Sequence, residues 1–134
     1  MNDLFEGIFS FWQTWVPPIA DEMYEASVYT GMGIIWFCLC LGVPAAYYLA
    51  WNSSVFNKPR HWLILAIGTS FFAAICTYFY VHSTLVGLDL WYDDTSAAAT
   101  IDLFLRMMLF TMIGFTAVSL IVKNFSINAS RTPF

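Results

Sequence analysis

The chain has 134 residues, of which 60% are hydrophobic and 10% are charged, and its net charge is −4. A water-soluble domain usually carries about 25% charged residues, so this composition excludes one and indicates a protein surrounded by lipid. Five scattered Lys and Arg residues also exclude nucleic-acid binding, which needs clustered cations against the phosphates.

The first predicted element is an amphipathic helix over residues 2–16. Its apolar side chains, among them Leu4, Ile8 and Trp15, recur at helical spacing on one face. The segment is too short to span a bilayer, and its Trp and Phe content is typical of the headgroup boundary. The sequence therefore predicts an interfacial helix, whose apolar face is covered either by lipid or by a partner protein.

Residues 21–51 are predicted to form one helix that contains the first transmembrane span. It begins with Asp21, Glu22 and Glu25, whose carboxylates oppose the positive end of the helix dipole. No charged residue follows until Lys58, and such a run is longer than the roughly 20 residues that cross the hydrocarbon.

Two further apolar segments predict the second and third spans, over residues 62–82 and 101–122. An acidic outer loop over residues 83–100 separates them, and a short polar tail over residues 123–134 follows the third span. The predicted fold is therefore a single all-α integral membrane domain with three transmembrane helices.

The basic residues predict how the chain is oriented. Lys58 and Arg60 lie in the first loop, and Lys123 and Arg131 follow the third span. Three spans place these two regions on the same side of the membrane, and basic loops stay in the cytoplasm. We therefore expect a multi-pass protein of the plasma or bacterial inner membrane, with its N-terminus outside and its C-terminus in the cytoplasm.

Two ionisable residues lie inside the third predicted span. Asp102 and Arg106 are four residues apart, so a helix places them on one face, where an ion pair offsets much of the cost of burying either charge in lipid. One interpretation is a structural pair, satisfied within the chain or by a neighbouring subunit. The other is a relay for protons or ions. Either interpretation predicts that this face contacts protein or water.

A histidine and several carboxylates share the predicted outer side. A His with carboxylates can bind a divalent metal ion or take part in proton uptake, although a histidine at the membrane boundary is commonly just solvated. The spacing matches no known ligand motif and specifies neither the metal nor a cofactor. The candidate residues are His82, Asp21, Glu22, Glu25, Asp89, Asp93 and Asp94.

Small residues recur every four positions on two of the spans. They are Gly42, Ala46 and Ala50 on the first span, after Cys38, and Ala66, Ser70 and Ala74 on the second. Such stripes let helix backbones approach closely, which favours association in lipid. They predict packing either between these two helices or against a partner subunit.

No catalytic constellation is evident, so the chain is not expected to be an enzyme by itself. The pattern favours a small accessory or structural subunit of a hetero-oligomeric membrane complex, with the lipid bilayer and other membrane subunits as its partners. One alternative is a subunit that contributes to a metal or haem site of a membrane redox enzyme. Another is an oligomeric transporter or a self-assembling pore, since three spans and an outward N-terminus are similar to phage holins.

Overall fold

The computed structural model describes residues 1–9, 17–50, 59–89 and 94–125. Within these ranges every regular element is helical, and none of these residues forms a strand. The helices are α1 (Asn2–Phe9), α2 (Pro17–Glu25), α3 (Val28–Ala45), α4 (Pro59–Gly87) and α5 (Asp94–Val122). A π-helical turn, Ala46–Ala50, continues α3, and a 3₁₀ turn, Lys123–Phe125, follows α5.

Among the described residues, three helical segments are long and apolar enough to cross a membrane: Val28–Leu49, Pro59–Gly87 and Ser96–Val122. The prediction of an all-helical, multi-pass membrane protein is therefore confirmed. Both α4 and α5 have 29 residues and are about 44 Å long at 1.5 Å per residue, which exceeds the roughly 30 Å of hydrocarbon. They consequently include much of the segment over residues 83–100, which was predicted from the sequence to be a loop.

The helix predicted over residues 21–51 is divided in the structure. It begins earlier, at Pro17, because a proline is tolerated in the first turn of a helix, where its missing N–H would have no partner. It is interrupted at Ser27, whose backbone is left-handed with a φ of 56°. Nearer its end, Pro44 has no backbone N–H to donate, and the π-helical turn begins two residues later, at Ala46.

The three spans form a bundle in which α5 contacts α4 most extensively and α3 packs against both. One buried cluster joins α1 and α2 to the spans and contains Phe9, Met23 and Tyr29. A second cluster, at the opposite end of the bundle, contains Tyr48, Trp62 and Phe115. The two N-terminal helices therefore lie at the end of the bundle that contains the first cluster.

The outward surfaces of all three spans are apolar. Large exposed side chains include Phe37 on α3, Phe79 on α4 and Ile121 on α5. In water such surfaces would be unfavourable, whereas in a bilayer they contact acyl chains at no cost. They are therefore compatible with direct contact between the bundle and lipid.

Candidate functional site

The structure contains the ion pair that the spacing of Asp102 and Arg106 predicts. Arg106 Nε lies 2.8 Å from Asp102 Oδ2, one helical turn away on α5. The Arg106 side chain is 12% exposed and that of Asp102 is 33% exposed. The guanidinium is thus turned into the protein, while the carboxylate retains partial access to the surroundings.

Arg106 also binds the backbone of the N-terminal helix. Its Nη1 donates a hydrogen bond of 2.9 Å to the carbonyl oxygen of Phe9, the last residue of α1. The final carbonyls of a helix have no partner within the helix, and a cation there opposes the negative end of the helix dipole. One guanidinium therefore joins a carboxylate of α5 to the end of α1.

Aromatic packing holds α1 against the spans α3 and α5. Phe9 is fully buried, and its ring meets that of Phe110 edge-on at a centroid distance of 5.8 Å. Phe5 lies against Gly33 on α3, where an added Cβ would overlap the Phe5 ring. Phe5 and Phe9 thus pack against this chain itself, whereas Leu4 on the same helix is 66% exposed. Residues 10–16 of the predicted interfacial helix lie outside the described residues.

A second polar contact lies near the start of α1. The Tyr24 hydroxyl on α2 donates a hydrogen bond to Asp3 Oδ1, and both side chains are exposed. This hydrogen bond, together with the negative charge of Asp3, raises the pKa of Tyr24 above 10.0. The contact therefore holds in neutral solution and is lost as the pH rises through that raised pKa.

The residues of the candidate metal or proton site are only partly described. His82 is half-buried, and its ring stacks on Tyr78 at a centroid distance of 6.0 Å. Asp21, Glu25 and Asp89 are exposed and Glu22 is half-buried. Asp93 and the side chain of Asp94 lie outside the described residues. Among the side chains that are described, no group of three or more His, Cys, Asp or Glu is placed to hold a metal ion.

The two small-residue stripes face in different directions. On α4, Ala66, Ser70 and Ala74 are buried inside the bundle, and Ser70 Oγ donates a 2.8 Å hydrogen bond to the carbonyl oxygen of Ala66. On α3, Gly42 and Ala46 are exposed, and a Cβ added at Gly42 would meet nothing within 4 Å. The side chain of Ala50 lies outside the described residues. One stripe therefore packs within the chain and the other faces outward.

The sequence did not indicate two of the groups through which α1 contacts the bundle. The Phe9 carbonyl belongs to the backbone and leaves no signal in the sequence, and Gly33 is one of several glycines in the spans. Some of these glycines, such as Gly42 and Gly68, have open space beside them, so the presence of glycine alone does not indicate where helices approach closely.

Comparison of the chain with protein-family models, with curated proteins and with solved structures finds no match.

Proposed function

We propose that this chain is a small accessory subunit of a hetero-oligomeric membrane complex, and that it binds its partner through the outward face of α3. The observation that carries the proposal is the exposed stripe of small residues at Cys38, Gly42 and Ala46. These residues lie one helical turn apart, so they form a shallow groove along α3. Such a groove lets a partner helix approach the backbone, where van der Waals contacts favour association in lipid.

A comparison within the molecule supports this choice of surface. Gly68 on α4 is also exposed, and an added Cβ there would likewise meet nothing within 4 Å. Its neighbours one turn away, however, are Ile64 and Phe72, which are 68% and 56% exposed. These large side chains keep another backbone at a distance, whereas the neighbours of Gly42 leave the approach open.

Apolar packing between the helices supports a structural role for the single chain. Tyr29, Leu103 and Met107 are fully buried and belong to one apolar cluster. Packing of this kind favours a subunit that acts through its surface. A pore or carrier would have to be assembled between several chains.

We further infer that the N-terminus lies outside and the C-terminus in the cytoplasm of a plasma or bacterial inner membrane. The inference rests on the basic residues. Arg60 lies in the first turn of α4, two residues after Lys58 in the sequence, and Lys123 follows α5, with Arg131 beyond it in the sequence. Basic segments near the ends of spans are retained in the cytoplasm.

The test is purification of the tagged chain from its native membrane in mild detergent, followed by native mass spectrometry. Three forms are compared: the wild type, Gly42→Leu, and Gly68→Leu as the matched control. We expect defined partner chains at fixed stoichiometry with the wild type and the control. Gly42→Leu should lose them, because its side chain fills the groove on α3.

Two other outcomes are informative. If the wild type purifies only with copies of itself, the accessory-subunit proposal fails and a homo-oligomeric pore or carrier is favoured. If Gly42→Leu keeps the same partners as the control, the complex exists but the outward face of α3 does not bind it. A haem or metal in the purified complex that depends on His82 would support the redox-subunit alternative.

A further inference from the structure

We propose that α1 is a strap held against the bundle by Arg106, and that Asp102 positions the Arg106 guanidinium for this contact. We call these three groups the latch: the Asp102 carboxylate, the Arg106 guanidinium and the Phe9 carbonyl. This assignment gives the ion pair within the span a conformational role in place of ion or proton transfer. It does not depend on the proposed complex.

The strap packs against the bundle along its described length, Asn2–Phe9. Phe5 against Gly33 and Phe9 against Phe110 supply the apolar contacts, and Tyr24 holds Asp3 at the other end.

The polar tether at the buried end is Arg106. Phe9 is fully buried, so its carbonyl would lose its bond to water on docking, and the guanidinium replaces that bond. The planar guanidinium presents its donors in a fixed fork. When Nε is bound to Asp102, Nη1 is directed at the Phe9 carbonyl, so Asp102 orients the group that holds the strap.

The geometry distinguishes this latch from an ion pair that makes no contact with α1. Residues 102 and 106 are one turn apart, so their positions differ by about 6 Å along α5. The guanidinium at position 106 is the group that reaches the Phe9 carbonyl in this structure. The surface that the strap covers is also distinct from the outward face of α3. Gly33 and Gly42 are nine residues apart, and a helix places them about 180° from each other.

Hydrogen exchange measured by mass spectrometry, on the full chain in lipid nanodiscs, tests the latch. The probes are the strap amides, from Phe5 to Phe9, and peptides of α4 serve as the internal control. Both Arg106→Gln and Asp102→Asn remove the ion pair, but only the first removes the bond to Phe9. We expect exchange in the strap to rise about tenfold or more in Arg106→Gln. It should rise much less in Asp102→Asn, while α4 is unchanged in both.

A charge-swapped double variant, Asp102→Arg with Arg106→Asp, provides the decisive control. It keeps both charges and their spacing but moves the guanidinium one turn away from Phe9. The latch predicts strap exchange as fast as in Arg106→Gln, and wild-type protection in the double variant would overturn the proposal. Wild-type protection of the strap in Arg106→Gln would also overturn it. If Arg106→Gln also loses protection throughout α4, the bundle itself has been destabilised. The double variant, which retains both charges, then tests whether the strap alone is released.

Discussion

Single glycines determine how closely the helices of this bundle approach. At Gly114, an added Cβ would lie 2.8 Å from Cys40 Sγ and 2.9 Å from Cζ2 of the Trp36 ring. The same contact brings Cys40 Sγ within 3.7 Å of the Thr111 carbonyl oxygen. The distance between α3 and α5 is therefore set by the absence of a side chain at this position.

We expect Gly114→Ala to lower the free energy of unfolding by about 1–3 kcal/mol, because the methyl group forces Trp36 and Cys40 out of place. Steric-trap unfolding in bicelles would measure the change. The matched control is Gly68→Ala, where the new methyl group meets no neighbour within 4 Å. Equal losses in the two variants would show that glycine at 114 is not required by packing.

At this scale the sequence predicted some contacts and missed others. The spacing of Asp102 and Arg106 was sufficient to predict their pairing, because the helix alone brings the two side chains together. The bond from Arg106 to Phe9 joins residues 97 positions apart. It depends on the fold of the whole chain and ends on a backbone atom, so no pattern of side chains indicates it.

The helices show a similar division between what was predictable and what was not. Length and lack of charge were enough to predict three spans, because the bilayer imposes those requirements directly. Each span is apolar on all sides, so the periodicity of its hydrophobic residues does not indicate which face is buried. The stripes containing Gly42 and Ala66 have the same spacing, yet one is exposed and the other buried. The break at Ser27 was also missed, because serine carries no signal for a left-handed backbone.

The docking of α1 leads to a prediction for that element. In Gly33→Leu the new side chain would occupy the position of the Phe5 ring, so α1 should leave the bundle while the Asp102–Arg106 pair stays intact. Glutamyl endopeptidase should then cleave after Glu6 several-fold faster, since proteolysis requires an unfolded segment. Mass spectrometry of the product that begins at Gly7 gives the rate.

Gly68→Leu is the control for that experiment, because it makes the same substitution on an open face of α4. Its cleavage after Glu6 should match that of the wild type. Equal rates in Gly33→Leu and the wild type would show that α1 is held without the Phe5 contact.

The whole molecule has an uneven distribution of charge along the bundle. All nine acidic residues lie before the first span, around the α4–α5 connection or at Asp102. Four of the five basic residues follow the first or the third span in the sequence, and two of these, Arg60 and Lys123, lie at the other end of the described bundle. Because successive spans run antiparallel, acidic and basic segments that alternate along the sequence are brought to opposite ends of the bundle. The two ends therefore differ in charge. This difference supports the proposed orientation.

Reporter fusions in a bacterial host test that orientation. Green fluorescent protein fused after Phe134 should fluoresce, and alkaline phosphatase at the same position should be inactive, because that end is expected in the cytoplasm. A phosphatase fused after Asp89, between α4 and α5, should be active. The reverse pattern would place the acidic end in the cytoplasm and contradict the orientation. The strap and the ion pair would be unaffected, because they depend on contacts within the bundle and not on its direction in the membrane.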